Sequence, residues 1–574
     1  MMPSQIPRVT VDGTELRPEI ATALIDAIID DDLYLPDMFE MRFSDPDRTL
    51  ADQMPFSIGA EVEIKTGTMG EDGSTLLING EVTAIEAILD ATGSFLTITG
   101  YDQSHRLHRG RKTATFNDVT DSDLAKRVAS AAGLSIGKVD STSDTLPHVG
   151  QVNDTDWNFL QRRARIAGGR VFVREGKFHF RTEPDMIPGL PVEMRFGKEL
   201  IEFRARMTAN EQVKDVEVRG WDFEAKQSIS EKKDTVIVSA DLDASSISAD
   251  TIDTTFGSST YVSTDLAIGT DAAARSAAEG LVIDMSSGQL YATGTVVGDP
   301  RVTADSAIQI SGTGKAFDGS WVVSHSRHVF DHAGYTTHFT VSGSQDRSLS
   351  GLISGMSGGG SASTSSTIDG VVIGIVTDTA DPIEIGRVKV KMPWLSDDFE
   401  SFWVRVCYPG AGEERGFLNC PEINDEVLIA FEHGDINHPF VIGSLFNGKD
   451  KPGESGYTSS SDGSVIRRAW TSRNGHKIVI LEDPASPDGD MINLVTANGV
   501  VMNLKDNGEL FIDAKNVIMS ISENFEISAT GDLKIDAKNV TINAKSALEL
   551  TASSGAKIDG GAQTELKGAL VKLN

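Results

Sequence analysis

Cysteine is almost absent: Cys407 and Cys420 are the only two in 574 residues. They form no CxxC pair and no histidine stands beside them at a zinc-ligand spacing. A disulfide framework and a thiolate metal site are therefore excluded, and two buried thiols in a reducing compartment is the simplest reading. Aromatic residues are scarce at 6 %. No run of about 18 apolar residues occurs, so no membrane-spanning helix is expected. The opening MMPSQIPRVTVDG lacks a basic stretch followed by an apolar one, so the expectation is synthesis in the cytoplasm without a signal peptide. Positive charge is also short. Lys and Arg number 52 against 84 Asp and Glu, a formal net charge of -32. Such a field repels phosphate backbones and anionic lipid, so nucleic acid is not an expected partner. GxSxG, HExxH and P-loop motifs are all missing. With so many carboxylates, no Asp/Glu pair singles itself out. The expectation is no catalytic residue, no metal and no cofactor.

What is present points to β structure. Apolar residues make up 39 % and glycines number 55, which suits many short strands and turns, and the length suits several domains. Residues 1–350 mix alternating strands with three helices. Thr120 caps the first, which runs through Leu124 and Val128 to Gly133. The second starts near Thr155 with Trp157, Leu160 and Ala164 on one face. The third covers roughly 272–284. Between the last two, Arg170–Val173 and Lys177–Phe180 alternate as a hairpin. Residues 351–367 are a Gly/Ser linker. Residues 368–448 contain about five short strands, the density of an OB-type barrel. Residues 449–470 connect this barrel to residues 471–574.

That last region is periodic. Two apolar residues flank a third residue at Leu510/Ile512, Val517/Met519, Phe525/Ile527, Leu533/Ile535, Val540/Ile542, Leu548/Leu550, Ala556/Ile558, Thr564/Leu566 and Val571/Leu573, advancing by seven or eight each time. A period of two inside each pair puts both side chains on one strand face. Heptad helices would space them by three or four. The segment is a stack of short strands, a β-helix or β-prism. Two architectures fit. A single chain coils with three strands per turn, as the 23-residue repeat of Ile-Asp-Ala-Lys-Asn-Val at 512 and 535 suggests, or three chains intertwine.

Several passages resemble a known family, the VgrG and phage hub-spike proteins of contractile injection systems. In the first region these are Gly100-Tyr-Asp-Gln-Ser-His-Arg-Leu-His-Arg109, Thr155-Asp-Trp-Asn-Phe-Leu160, Phe317-Asp-Gly-Ser-Trp-Val322 and Arg327-His-Val-Phe-Asp331. In the second, Gly386-Arg-Val-Lys-Val-Lys-Met-Pro-Trp394, Phe402-Trp-Val-Arg405, Pro421-Glu-Ile-Asn-Asp-Glu-Val427 and Gly443-Ser-Leu-Phe-Asn447 are similar to the baseplate-V barrel. Thr471-Ser-Arg-Asn-Gly-His-Lys-Ile-Val-Ile480 looks like the start of the needle. The resemblance implies a mainly β, multidomain homotrimer, with a hub, an OB barrel and an intertwined trimeric β-helix. Its needle core would be Ile512, Met519, Phe525, Ile527, Leu533, Ile535, Val540, Ile542, Leu548, Leu550, Ile558 and Leu566. It also implies inner-tube and baseplate partners at the hub, and a PAAR-type tip protein at Leu570, Val571 and Leu573. Effector cargo is a further partner it allows, and membranes are met only by mechanical penetration. No histidine follows His476, so a His-x-His iron site at the tip is not expected.

Three other groups invite a functional reading. His105 and His108 amid Arg106, Arg109, Arg111 and Lys112 suggest a phosphate site, but a structural loop is the plainer account. Trp394, Phe399, Phe402 and Trp403 suggest a stacking platform, against barrel core or subunit contacts. His433 and His438 read as turn residues rather than metal ligands. The rival function is a β-helical tail-fibre adhesin or a glycan-binding or glycan-cleaving protein. It calls for aromatics along the stack, where only Phe511 and Phe525 occur in the last hundred residues.

Overall fold

The computed structural model describes residues 5–68, 74–174, 176–182, 190–209, 212–235, 240–242, 249–343, 368, 370–483, 486–487 and 489–572. The expected linker at 351–367 and Leu573 lie outside the described residues. The chain falls into two compact units, residues 1–451 and 452–574.

The first unit is organised by one large sheet. Its strands are β1 (Gln5–Val11), β2 (Thr14–Glu15), β3 (Leu24–Asp32), β4 (Met38–Ser44), β5 (Glu61–Thr68), β6 (Ser74–Asp90) and β7 (Gly93–Asp102). Four more come from much later in the chain: β8 (Leu200–Met207), β9 (Leu290–Val297), β10 (His325–Asp331) and β11 (Gly334–Val341). They lie in the order β8-β9-β11-β10-β3-β4-β7-β6-β5-β1-β2. The central β3–β10 pair is antiparallel. Four strands on one side (β3, β4, β7, β6) therefore mirror four on the other (β10, β11, β9, β8) about an approximate two-fold.

Glycines mark this repeat. Phe39 on β4 stands opposite Gly100 on β7, and Phe339 on β11 stands opposite Gly294 on β9. A Cβ at Gly100 would lie 2.3 Å from the Phe39 ring and 2.4 Å from the Glu81 carbonyl of β6. A Cβ at Gly294 would lie 2.4 Å from the Phe339 ring and 2.9 Å from the Glu202 carbonyl of β8. In both halves a buried phenylalanine lies across a strand that cannot carry a side chain there. This gives a physical reason for the glycine that opens the Gly100–Arg109 passage.

The expected helices form with their expected caps. The hydroxyl of Thr120 accepts from the Asp123 N–H at 3.2 Å ahead of α1 (Asp121–Ala131). Thr155 does the same with Asn158 ahead of α2 (Asp156–Ile166). The third helix, α3 (Asp271–Ser287), is longer than expected. The hairpin pairs Arg170–Arg174 with Lys177–Arg181. Around α1 and α2, Leu124, Phe159, Leu160, Phe178 and Phe180 form a core of their own.

The barrel is β12 (Val371–Asp378), β13 (Lys389–Lys391), β14 (Arg405–Val406), β15 (Glu426–Phe431) and β16 (Pro439–Ser444), in the order β13-β12-β15-β16-β14. All five expected strands are present, though the second and third are shorter than expected. The barrel sits directly on the preceding domain. Val152 belongs to the same apolar core as Phe399 and Ile429. The Gly150 N–H donates to Asn437 Oδ1 at 2.7 Å, and His148 Nε2 contacts the Glu400 carbonyl at 3.1 Å. Inside the barrel, Asp381 and Arg387 form a buried ion pair at 2.7 Å.

Candidate functional site

The second unit starts with a five-stranded antiparallel meander: β17 (Arg467–Thr471), β18 (Lys477–Leu481), β19 (Met491–Val495), β20 (Val501–Lys505) and β21 (Leu510–Asp513). Its register lines up two apolar rows. One runs Trp470, Ile478, Leu494, Met502, Ile512. The other runs Ile480, Ile492, Leu504, Leu510 beside Arg468. Both rows point to the same face, because row members are two residues apart on every strand. The opposite face is mixed: Val479, Leu481, Met491, Val495, Val501 and Phe511 share it with polar groups that satisfy one another. Asn493 donates to Asn503 at 2.6 Å, and Glu454 bridges Lys477 at 2.5 Å and Arg467 at 3.0 Å.

The apolar face has no shelter. Ile478, Ile480, Ile492, Leu494, Leu504, Leu510 and Ile512 are all exposed to the extent of about two-fifths or more. Beyond Asp513 the described chain to residue 572 contains no strand in isolation, and its side chains are exposed. Every expected needle-core residue lies there except Ile512, which is on β21. The twelve range from 44 % exposed at Ile512 to 83 % at Leu550, with Met519, Phe525, Ile527, Leu533, Ile535, Val540, Ile542, Leu548, Ile558 and Leu566 between. Leu570 and Val571 are also exposed. So many large apolar side chains in water are the kind of surface that marks an interaction site. The regular pairs start at Leu510, but the same two-apart pairs at Ile478/Ile480, Ile492/Leu494 and Met502/Leu504 begin earlier at wider spacing, and β17 starts within the expected 449–470 connector.

The other candidates are structural. His108 is stacked on Trp157 with ring centroids 5.0 Å apart, and burial followed by the neighbouring His105 pushes its imidazole down to about 4. His105 and Arg106 both pair with Glu81, and Lys112 pairs with Asp156. Arg111 donates to the Asn153 carbonyl at 3.1 Å, so His105, Arg106, Arg111 and Lys112 are all engaged within the fold. In the barrel, Phe399 is core. Trp394 donates its indole N–H to the Ile373 carbonyl at 2.8 Å, and Trp403 carries Arg387 and Lys389 over its ring. His433 has a φ of 50° in a turn, and His438 pairs with Asp435 at 3.1 Å. The reading of two buried thiols needs correcting. Cys407 is exposed and Cys420 half-buried, because Cys407 follows the two-residue β14 where the chain leaves the barrel wall. Among the described residues no group of three or more His, Cys, Asp or Glu is placed to hold a metal ion, and no helix is long and apolar enough to cross a membrane.

An OB barrel between a large β hub and an apolar-faced β stack defines a class of tail-spike architecture, and comparison with known proteins agrees. Residues 372–446 match the type VI secretion system/phage-baseplate injector OB domain. Residues 37–331, just over half of the chain, match the Alg8 N-terminal domain. The barrel resembles that of VgrG and phage-spike proteins, and by the match over residues 37–331 the chain belongs to the Alg8 N-terminal domain family. The bounds of that longer match do not coincide with a folded piece. It starts after β3 and stops before β11, which are sheet neighbours of β4 and β10. Among curated relatives, the type VI secretion system spike protein VgrG2a of Pseudomonas aeruginosa is 36 % identical over 73 residues, 12 % of this chain and 9 % of that protein. The actin cross-linking toxin VgrG1 of Vibrio cholerae is 36 % identical over 73 residues, 12 % of this chain and 7 % of that protein. The chain thus spans less than a tenth of the length of these relatives. A solved Francisella PdpA–VgrG complex in its half-lidded state superposes with a TM-score of 0.52 at 9 % identity, covering 89 % of this chain and 88 % of that one. That likeness concerns the fold.

Proposed function

We propose that this chain is the central hub and spike of a contractile injection system, working as a homotrimer. The unsheltered apolar face of residues 467–572 carries the reading. Three copies that turn these faces inward bury the twelve core side chains on a common axis. At roughly 1.5–3 kcal/mol for full burial of each, and with part of that already realised, the gain is on the order of 10–20 kcal/mol per copy. Closure also pairs strand edges that otherwise invite aggregation. The result is a stiff needle, from residue 471 to 574 as the repeat has it, held by the 368–448 barrel as a collar.

Residues 1–350 are the hub that joins inner tube and baseplate. The two-fold repeat around β3 and β10 supports this, since each copy then offers two equivalent lobes to a ring above it. The exposed Leu570 and Val571, with Leu573, are the seat for a PAAR-type tip protein, and effector cargo is a further partner. The work is mechanical. The sheath supplies the energy and the chain supplies rigidity, without catalysis, cofactor or nucleic acid. The protein is made in the cytoplasm, assembled into the particle and exposed on firing. An adhesin or glycan-cleaving reading finds less support, because the aromatics it needs are absent from the stack.

The test is the solution mass by light scattering on a sizing column. A mass near three times 61.5 kDa supports the spike. A stable monomer overturns it.

A further inference from the structure

On a strand, the middle residue of each apolar pair from Phe525 to Leu573 points away from the face that the pair shares. Read in order, these middle residues are Glu526, Lys534, Thr541, Glu549, Lys557, Glu565 and Lys572, and all are exposed. Wherever two charged layers follow one another the signs are opposite: 526 to 534, 549 to 557, 557 to 565 and 565 to 572. The two layers before them are both apolar, Phe511 and Ile518, and both are exposed. Within one chain these groups find only near neighbours. Lys557 lies 3.5 Å from Asp559, and Lys567 reaches Glu565.

We propose that these middle residues form an alternating-charge ladder between copies, which fixes the register of the intertwined needle. The proposal rests on the trimeric reading and adds to it a contact map. When three chains wind around one axis, each layer of one copy stacks on the next layer of a neighbour. Glu526 then faces Lys534 of the partner subunit, Glu549 faces Lys557 of the partner subunit, and Glu565 lies between Lys557 and Lys572 of its neighbours. Phe511 packs on Ile518 of the partner subunit. A single chain coiling three strands per turn stacks each layer on the third one along. Glu526 would then face Glu549 and Lys534 would face Lys557, while the 23-residue repeat would set Asp513 on Asp536 and Lys515 on Lys538. Like charges directly opposite on neighbouring strands are unfavourable and opposite charges favourable. The charge order thus separates two architectures that the apolar period leaves equal. A slip of one layer in a copy changes which signs meet, so the ladder also disfavours misregistered needles.

The experiment uses the full chain and follows thermal dissociation by light scattering. Lys534→Glu and Glu526→Lys each lower the midpoint, by on the order of several degrees, and less so in high salt. The exchange Glu526→Lys with Lys534→Glu restores it. Lys538→Glu, one position outside the ladder, has the smaller effect. Two outcomes overturn the ladder while leaving the trimer in place: an exchange no better than its single parts, or single reversals no worse than Lys538→Glu. A rise in midpoint for Lys534→Glu points to the single-chain coil, where the reversal relieves a Lys–Lys contact. A wild-type chain that is monomeric before heating overturns the trimeric reading itself.

Discussion

Residues 1–451 and 452–574 treat their apolar side chains in opposite ways. In the first unit Phe39, Met41, Phe43, Phe159, Phe178 and Trp321 are essentially inaccessible, shut in by strands and helices of the same chain. In the second, the two rows across β17–β21 and the pairs after them lie open. Charge divides differently as well. Residues 514–574 hold seven basic and seven acidic side chains, whereas the whole chain carries -32. The comparison teaches that the first unit encodes a fold and the second encodes an assembly. A piece that buries its own core is complete alone. A piece with an open apolar face and balanced charge calls for a partner, which the proposed trimer supplies.

The contrast is tested hardest by placing a charge in each kind of apolar environment. Ile535→Asp sets three carboxylates on the axis of one needle layer. The expected cost exceeds about 5 kcal/mol for the assembly, and light scattering should find monomers whose first unit still melts at its usual temperature. The matching change in the hub, Phe39→Ala, empties the space over Gly100. It should cost about 3–5 kcal/mol, lower the first unit's melting temperature, and leave the mass unchanged. If Ile535→Asp stays trimeric, the apolar rows are not the interface and the comparison fails.

A smaller effect probes what holds the barrel inside the first unit. Burial pushes the Asp381 carboxyl up, but hydrogen bonds from the Arg387 side chain and from the Arg387, Ile383 and Ile385 backbone N–H groups more than offset this and hold it at about 2. A depressed folded value means stability that is present above the unfolded value near 4. It is lost as pH falls from there through about 2. Asp381→Asn leaves Arg387 buried without its counter-charge, at a cost of about 3 kcal/mol, and should remove that acid sensitivity. Denaturant midpoints at pH 7 and pH 3 for both proteins measure it. An unchanged difference between the two pH values would mean the pair does not hold the barrel.

Much of this was legible in advance because it is local. Thr120 and Thr155 announce their helices through hydroxyl caps three residues from the N–H they accept. The barrel strands carry alternation and turn residues, and the pairs from Leu510 onward repeat too regularly for a helix. What escaped is long-range. No local pattern says that β10 pairs with β3 across roughly three hundred residues, or that β8 and β9 extend a sheet begun at Gln5. The equivalence of Gly100 and Gly294 needs the register, because each glycine is explained by a phenylalanine far away in sequence. The pairing within the meander β17–β20 is hidden for a different reason. Its pairs at Ile478, Ile492 and Met502 have irregular turns between them, and one strand at a time they look like any hairpin. The needle-core residues are readable as a pattern, while what covers them, other copies on the proposed reading, enters only through the exposed face they leave.

The gentlest test of the comparison is pH between 6.5 and 5. Burial holds two hub imidazoles down at about 4, His108 against Trp157, with a further push from His105, and His328 in the middle of β10. In the unfolded chain both titrate near 6.5. Between 6.5 and 4 the unfolded state therefore binds protons that these two folded imidazoles refuse, which costs stability as pH falls, while Asp31 and Asp102, pushed up by burial to about 6 and about 7, take up protons in the fold and contribute with the opposite sign. From pH 6.5 to 5.5 the expected loss is on the order of 1 kcal/mol per histidine. His108→Phe keeps a ring against Trp157. It also gives up no hydrogen bond at Nε2, which is buried without a partner. It should remove the His108 share, on the order of 1 kcal/mol between pH 6.5 and 5.5, from the pH dependence of the first unit's unfolding free energy. The needle holds one histidine, His476 near its start, so needle dissociation should vary less over the same range. A needle transition that follows the hub's pH slope would show that the two units do not unfold independently, and that the division between fold and assembly is not where the burial pattern puts it.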